Sequence, residues 1–184
     1  MRVIAGTFRS RTLLAPQGRN TRPTSDRLRE TLFNVLAPRI PGAVFLDLYA
    51  GTGAVGIEAF SRGAAQVYFA ETGAAALGAL RANLRSLGIG GECVVEARGA
   101  LPLLRGLAEK KAQADIVFLD PPYQDTEAYE ATLGFLARAP LLRPQSLVVV
   151  ERSVHGDGPR APANLKELRV LRQGDALLGF YALQ

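Results

Sequence analysis

The sequence has few of the residues that redox and metal chemistry require. Its 184 residues include no tryptophan and only one cysteine, one histidine and one methionine. A single cysteine cannot form an internal disulfide, and the common Cys/His metal sites need ligands that this chain lacks. Cys93 lies in the apolar run ECVVEA. We therefore expect a core thiol and no metal site.

Long apolar runs are also missing. None approaches the ~18 to 20 residues that cross a bilayer, and arginines begin at residue 2, too early for the core of a signal peptide. Apolar residues make up 48% of the chain and charged residues 21%, as in ordinary folded proteins. We expect a cytoplasmic monomer with no membrane partner.

Basic residues are concentrated near the N-terminus. The formal net charge is +5, and residues 1–39 hold eight arginines against two acidic residues, whereas residues 40–184 are almost neutral. Arginine outnumbers lysine 19 to 3 in the whole chain, but this bias does not explain the clustering. A basic patch on a near-neutral body is typical of proteins that bind nucleic acid, and the alternative is a merely solvated surface. The candidate RNA-binding residues are Arg9, Arg11, Arg22 and Arg27.

The first 40 residues predict a small extension of the main domain. RVIAG (2–6) and RTLLAP (11–16) flank TFRS and predict a β-hairpin. After a loop over 17–23, apolar residues recur with helical spacing over 24–37, where Thr24 is one of three candidate caps. We divide the chain into this basic extension, residues 1–40, and a main domain over residues 41–184.

From residue 43, apolar strands alternate with helices. The predicted strands span 43–50, 65–71, 92–97, 114–120 and 146–151, and the predicted helices span 53–62, 74–87, 100–110 and 126–138. This order predicts a doubly wound α/β fold whose mostly parallel, Rossmann-like sheet is covered on both faces. Two further segments, 165–173 and 176–183, are joined by two turn residues and predict an antiparallel C-terminal hairpin.

The turn after the first strand, LDLYAGTGAVG, carries a nucleotide-binding pattern. Gly51, Gly53 and Gly56 match G-x-G-x-x-G, and Glu71 follows Gly51 by 20 residues at the end of the second strand. Such glycines allow a tight turn and close approach of a ligand, and the acid binds ribose hydroxyls. The alternative is a set of glycines that serve only the turn.

Asp47 favours a ligand other than a nicotinamide dinucleotide. It lies just before the glycine turn, where its charge would repel a pyrophosphate at short range. S-adenosylmethionine instead offers an ammonium and a sulfonium group, and its ribose still needs Glu71. The only histidine, His155, lies in the Gly/Pro-rich loop VHGDGPRAP and is not expected to act as a catalytic acid. An NAD(P)-dependent reductase remains the alternative that the glycines allow.

The fourth predicted strand ends in the tetrapeptide Asp120, Pro121, Pro122 and Tyr123. Because ligands of open α/β sheets bind at the carboxyl ends of strands, this turn should lie beside the glycine turn. Prolines lack an N–H group, so we expect outward carbonyls with no internal partner, which together with Asp120 accept both hydrogens of a planar amino group. Tyr123 would stack on the base that carries this amine. The alternative is a turn that only ends the strand.

Together these motifs resemble a known enzyme family. D-x-x-A-G-x-G followed by DPPY is similar to the class I S-adenosylmethionine-dependent amino-methyltransferases. RPTSDRLRETLFNVLAP, DLYAGTGAVGIEAFSRGA, DIVFLDPPY and the C-terminal hairpin resemble the RsmD family of bacterial 16S rRNA guanine-N2-methyltransferases over nearly the whole chain. The resemblance implies methyl transfer from S-adenosylmethionine to the 2-amino group of one guanine in 16S rRNA, within an assembled or assembling small ribosomal subunit.

The resemblance also implies roles for individual residues. The implied cofactor contacts are Thr24, Asp47, Tyr49, Gly51, Gly53, Glu71, Gly99 and Ala100. The tetrapeptide at residues 120–123 would hold the target base, and the region of Arg22 would close over the cofactor or meet RNA. Gly99 departs from the family pattern, because an acid or amide that contacts adenine is common there, so a backbone amide would serve instead. Tyr49 replaces a more usual phenylalanine, which we expect to matter little.

The tetrapeptide alone suits several amino groups equally. Adenine N6, cytosine N4 and the amide of protein glutamine are alternatives, and only the N-terminal resemblance and the basic patch favour guanine in rRNA. A non-catalytic RNA-binding or assembly factor with the same fold is a further alternative.

Overall fold

The computed structural model describes residues 1–15, 26–155 and 158–184, and the elements named here lie in those ranges. The helices are α1 (Asp26–Leu36), α2 (Ala54–Ser61), α3 (Ala74–Ser86), α4 (Ala100–Glu109) and α5 (Thr126–Arg138). The strands are β1 (Val44–Leu48), β2 (Gln66–Ala70), β3 (Cys93–Glu96), β4 (Ala114–Leu119), β5 (Leu142–Ser153), β6 (Leu165–Gln173) and β7 (Ala176–Leu183).

These strands form one sheet in the order β3-β2-β1-β4-β5-β7-β6. The first five strands of this order are parallel to one another, and β7 runs antiparallel between β5 and β6. The predicted doubly wound, mostly parallel sheet with an antiparallel C-terminal hairpin is therefore confirmed. The chain winds outward from β1 in one direction and from β4 in the other, so the switch point, where such sheets bind ligands, lies between these two strands.

Helices cover both faces of the sheet. The core on one face joins α1, α2 and α3 to the strands, with Leu32, Ile57 and Leu80 fully buried. On the other face α4 and α5 bury Leu104 and Leu133. Burial on both faces explains why the central strands are almost continuously apolar.

The N-terminal β-hairpin is shorter than predicted. The described part holds one antiparallel bridge, between Arg2 and Thr12, and neither predicted strand forms. The backbone amides of Ile4 and Ala5 instead donate to the carboxylate of Glu58 on α2, at 2.7 and 3.0 Å. Because these amides bind a helix side chain, they cannot extend a hairpin ladder.

The N-terminal segment packs against the main sheet. Val3 and Leu13 are buried in the same core as Phe33 and Ile57. α1 ends at Leu36 and a short 3₁₀ turn over 37–39 follows, which agrees with the predicted end of the helix. The predicted loop over 17–23 and the candidate cap Thr24 lie outside the described residues.

β5 is longer than predicted at its N-terminal end. It begins at Leu142, which pairs with Ala114 of β4. An irregularity in the ladder separates this pair from the regular pairing that resumes at Leu147 and Ile116. Its far end continues to Ser153 because β7 pairs with it there. Partner strands, which the segment's own sequence does not reveal, set both limits. Among the described residues, no helix has the length and apolar character needed to cross a membrane.

Candidate active site

The glycine turn and the tetrapeptide turn leave neighbouring strands at the same level. Leu48 pairs with Leu119 at the ends of β1 and β4. One residue later, the backbone amide of Asp120 donates to the carbonyl of Leu48 at 3.4 Å. Both predicted turns therefore lie together at the switch point of the sheet.

Each of the three glycines in the turn is favoured for a different structural reason. Gly51 has a φ of +55°, and among the described residues nothing lies within 4 Å of a Cβ built there. Gly53 has a φ of +78°, and a Cβ there would lie 2.2 Å from Leu80. A Cβ at Gly56 would lie 2.3 Å from the ring of Phe69. The first glycine opens the cleft, and the other two allow the turn and helix α2 to pack closely.

Asp47 is buried behind the glycine turn, with 2% of its surface exposed. Its Oδ2 accepts a hydrogen bond from the backbone amide of Gly56 at 2.7 Å. Gly53, the N-cap residue of α2, has no side chain for this purpose, so Asp47 caps the first turn from β1. Burial raises the pKa of Asp47 to about 8; the Gly56 hydrogen bond opposes the rise and the negative charge of Glu71 adds to it.

Glu71 connects the glycine turn to the start of α3. Its Oε2 accepts from the amide of Gly51 at 2.7 Å, and its Oε1 accepts from the amides of Thr72 and Gly73 at 2.8 and 2.6 Å. A carboxylate has roughly four acceptor positions, so these three bonds leave capacity for a further donor such as a hydroxyl group.

Tyr49 holds the glycine turn against α5. Its φ is +67°, a left-handed conformation that is uncommon outside glycine. Its hydroxyl lies 2.7 Å from the hydroxyl of Thr132 and donates to the carbonyl of Ala128 at 3.3 Å. Burial raises the pKa of Tyr49. Phenylalanine at this position would lack both contacts, a difference that the sequence pattern did not reveal.

A cavity of about 380 Å³ opens beside this turn, between the starts of α4 and α5. Tyr49, Ala100 and Ala128 are among the residues that line it. Gly99, which precedes α4, has φ +103° and ψ −176°, a region that only glycine adopts readily. A Cβ there would lie 3.1 Å from the Cγ2 of Thr72. The backbone therefore explains why no acid or amide stands at this position.

The proline carbonyls are not unpaired, so that part of the prediction is wrong. The carbonyl of Pro122 accepts from the amide of Asp125 at 2.8 Å. The carbonyl of Pro121 lies 3.2 Å from the hydroxyl of Tyr129, which also lies 2.8 Å from the carbonyl of Glu151. A hydroxyl has only one hydrogen to share between these two oxygens, so the Pro121 carbonyl keeps acceptor capacity.

Tyr123 is held by a residue that sequence reasoning missed. Its hydroxyl donates to Oε1 of Glu151 at 3.1 Å. Glu151 is a carboxylate with 4% exposure near the end of β5. The available signal was an acid that ends the otherwise apolar run SLVVVE, at the same level of the sheet as Asp120.

The candidate RNA-binding arginines fall into two groups. Arg9, Arg11 and Arg27 are exposed, and Arg11 donates to the carbonyl of Ser86 on α3 at 2.9 Å. Arg22 lies outside the described residues, as does Thr24. The described arginines place positive charge on the surface formed by the N-terminal segment and α1.

The remaining special residues lie apart from the two turns. Cys93 is half-buried rather than fully buried, and burial raises the pKa of its thiol to about 12. His155 is exposed, and its backbone amide donates to the side chain of Ser153. Within the described ranges, no group of three or more His, Cys, Asp or Glu residues is arranged to hold a metal ion.

Known proteins are similar to this chain in sequence and in fold. A family model described as "Conserved hypothetical protein 95" matches residues 1–182. "Ribosomal RNA small subunit methyltransferase D" of Escherichia coli strain K12 is 40% identical over 164 residues, which cover 89% of this chain and 80% of the relative. The protein of the same name from Haemophilus influenzae is 38% identical over 152 residues, or 82% of this chain and 78% of the relative.

A solved structure agrees over the full length. "Putative methyltransferase yhhF from Escherichia coli" superposes with a TM-score of 0.86 at 36% identity, covering 100% of this chain and 98% of the other. The family model, the relatives and this structure all match most of the chain, so the resemblance inferred from the motifs is confirmed. The chain belongs to the RsmD family of ribosomal RNA small subunit methyltransferases.

Proposed function

We propose that this protein transfers the methyl group of S-adenosylmethionine to the 2-amino group of one guanine in 16S rRNA of the small ribosomal subunit. The observation that carries the proposal is the adjacency of the two turns, joined by the bond from the Asp120 amide to the Leu48 carbonyl. A cofactor held at one turn and an amine held at the other would meet at the switch point. The names of the relatives support an rRNA substrate.

The residues of the glycine turn fit S-adenosylmethionine. The open side of Gly51 leaves room for a ligand against the backbone, and the spare acceptor capacity of Glu71 suits a ribose hydroxyl. The adjoining cavity, lined by Tyr49 and Ala100, lies where the adenine would extend, with the backbone at Gly99 beside it. When bound, the cofactor supplies an electrophilic methyl group on its sulfonium. Gly53 and Thr24 complete the proposed cofactor contacts.

Asp47 acts on the cofactor through its charge and through α2. Its carboxylate accepts a hydrogen bond from the Gly56 amide and is almost fully buried. We therefore do not propose a direct contact between Asp47 and the cofactor. A cationic ligand near a buried carboxylate favours the ionised form of that carboxylate. Binding of the cofactor should therefore lower the pKa of Asp47 and release a proton at neutral pH.

The tetrapeptide turn binds and activates the target amine. The Asp120 carboxylate and the Pro121 carbonyl accept its two hydrogens, which turns the nitrogen lone pair away from the base and toward the methyl group. The lone pair would then accept the methyl group that the sulfonium supplies, the neutral thioether would leave, and the Asp120 carboxylate is proposed to take the proton that the nitrogen loses. Pro122 stiffens the turn, and Tyr123 stacks on the base. Alignment supplies much of the rate in such a reaction, with effective molarities of ~10⁵ M or more.

The basic extension, residues 1–40, binds the rRNA, and residues 41–184 carry the catalytic domain. Arg9, Arg11 and Arg27 are exposed and would contact phosphates, together with Arg22. We propose that the enzyme works as a monomer in the cytoplasm, without a metal ion, on the assembled or assembling small subunit.

The direct test is methyl transfer from radiolabelled S-adenosylmethionine to small subunits purified from a strain that lacks the enzyme. We expect label on N2 of a single guanine in 16S rRNA. Label on adenine, cytosine or a protein glutamine would contradict the base assignment. Cofactor binding without any transfer would favour a non-catalytic assembly factor, and tight NADH binding without affinity for S-adenosylmethionine would favour a reductase.

A further inference from the structure

A buried carboxylate lies beside the target-base turn and takes no part in the reaction described so far. The ladder between β4 and β5 pairs Leu119 with Val150. The next residues along the two strands are Asp120 and Glu151, so two acids end neighbouring strands at the same level. Glu151 is only 4% exposed. Burying a carboxylate costs free energy unless the group is well bonded, so its partners are informative.

Glu151 is connected to the tetrapeptide turn through both its side chain and its main chain. Its Oε1 accepts from the hydroxyl of Tyr123 at 3.1 Å. Its backbone carbonyl lies 2.8 Å from the hydroxyl of Tyr129, which reaches the carbonyl of Pro121 at 3.2 Å. The Glu151 carboxylate therefore holds Tyr123 directly, and its main-chain carbonyl shares the hydroxyl of Tyr129 with the carbonyl of Pro121.

We infer that Glu151 is a positioning residue for methyl transfer, whose carboxylate fixes the ring of Tyr123 and so sets the plane on which the target base stacks. The inference rests on the proposed function. A bond from a hydroxyl to a carboxylate is stronger than one between neutral groups, so it holds the ring in one orientation. The base must stack in that orientation for its amine to reach Asp120, and a misplacement of about 1 Å costs on the order of 10²-fold in rate.

Tyr129 serves the same turn from α5. It is buried, and burial together with the negative charges of Asp120 and Glu151 and the neighbouring Tyr123 raises the pKa of its hydroxyl, so the hydroxyl stays protonated and can donate. Glu151 thus holds the ring that stacks, and Tyr129 limits the movement of the carbonyl that accepts. The two contacts restrain both ends of the Pro121–Tyr123 segment.

A double-mutant cycle tests the inference. Glu151→Ala, Tyr123→Phe and the double variant are compared for kcat/KM on small subunits, and cofactor affinity is measured by calorimetry. We expect each single change to lower kcat/KM on the order of 10²-fold, and the double change to lower it no further, because both remove the same contact. Cofactor affinity should stay within about twofold. Glu151→Gln, which keeps an acceptor oxygen, should restore most of the activity.

The controls separate positioning from folding. Glu109→Ala removes an exposed carboxylate from α4 and should leave kcat/KM unchanged. If Glu151→Ala does not fold, the same cycle is run with Glu151→Leu, which has a similar size and removes both acceptor oxygens of the contact with Tyr123. The inference would be overturned if the double variant lost kcat/KM by the product of the two single losses. An unchanged kcat/KM in Glu151→Ala would overturn it too. Transfer by the unmodified enzyme to an amino group other than guanine N2 would contradict the proposed function. The cycle would still test the role of Glu151, because it compares rates of transfer among the variants.

Discussion

The side-chain amide of Asn83 pairs with the main chain of Leu14 in both directions. Its Oδ1 accepts from the Leu14 amide at 2.7 Å, and its Nδ2 donates to the Leu14 carbonyl at 3.1 Å. The same Nδ2 donates to the carbonyl of Thr52, inside the glycine turn, at 3.1 Å. One buried side chain on α3 therefore joins the basic N-terminal segment to the proposed cofactor turn.

Asn83→Ala should destabilise the protein by about 1 to 3 kcal/mol, because it leaves the buried carbonyl of Thr52 and the partly buried backbone groups of Leu14 without these partners. The measurement is the free energy of unfolding in urea. Asn34→Ala, an exposed position on α1, is the matched control and should change it by less than about 0.5 kcal/mol. A similar small change for both variants would contradict a structural role for the Asn83 bonds.

Asp47 should make the ligand-free protein less stable as the pH rises from about 4 to about 8. Its pKa is about 8 in the folded state against an ordinary value of 3.8, so in this window the folded state binds more protons than the unfolded state. The free energy of unfolding therefore falls with rising pH and levels off above about 8. Asp47→Asn keeps an acceptor for the Gly56 amide and should flatten this dependence. Urea unfolding of both proteins between pH 4 and 9 measures it, and parallel curves would refute the assignment.

Gly99→Ala and Gly106→Ala should have opposite effects on stability. Alanine at Gly99 requires an unfavourable φ and crowds Thr72, which should cost on the order of 1 to 3 kcal/mol. Gly106 lies within α4, and in the described part of the chain nothing approaches a Cβ there within 4 Å, so alanine should stabilise the helix by about 0.5 to 1 kcal/mol. Thermal unfolding compares the two variants, and a stabilising Gly99→Ala would show that the backbone there is not restrictive.

Asp120→Ala should reduce methyl transfer on the order of 10²-fold or more while leaving cofactor binding nearly intact, because the side chain is proposed to contact the amine and not the cofactor. Single-turnover transfer and calorimetry measure the two properties separately. An active variant would refute the proposed activation of the amine. A parallel loss of cofactor affinity would instead move Asp120 into the cofactor site.

Arg9→Gln with Arg11→Gln should weaken RNA binding and reduce its salt dependence. For every phosphate that the protein no longer neutralises, the slope of log K against log salt should become shallower by roughly 0.7 on single-stranded RNA. Arg105→Gln removes an exposed arginine from α4, on the opposite face of the sheet, and should leave the slope unchanged. Equal slopes for the unmodified protein and both variants would indicate that Arg9 and Arg11 are merely solvated surface residues.

Local sequence patterns predicted most of the fold. The alternation of apolar strands and helices gave the order of the elements, because burial on both faces of a sheet imposes an apolar run that is visible in the sequence. The errors lie where a segment's partner is distant. Ile4 and Ala5 leave the predicted hairpin because Glu58, more than 50 residues away, accepts their hydrogen bonds.

The sequence by itself determined the doubly wound fold, the turn that begins at Gly51 and the tetrapeptide that begins at Asp120, because each follows from residues close together in the chain. Only the tertiary structure decided what the polar side chains bind. It directs Asp47 to the first turn of α2 and brings Glu151 to Tyr123, 28 residues away. Turns and the order of strands and helices follow from residues close together in the chain, whereas the partner of a buried polar group is whichever group the packing of strands and helices brings within hydrogen-bonding distance.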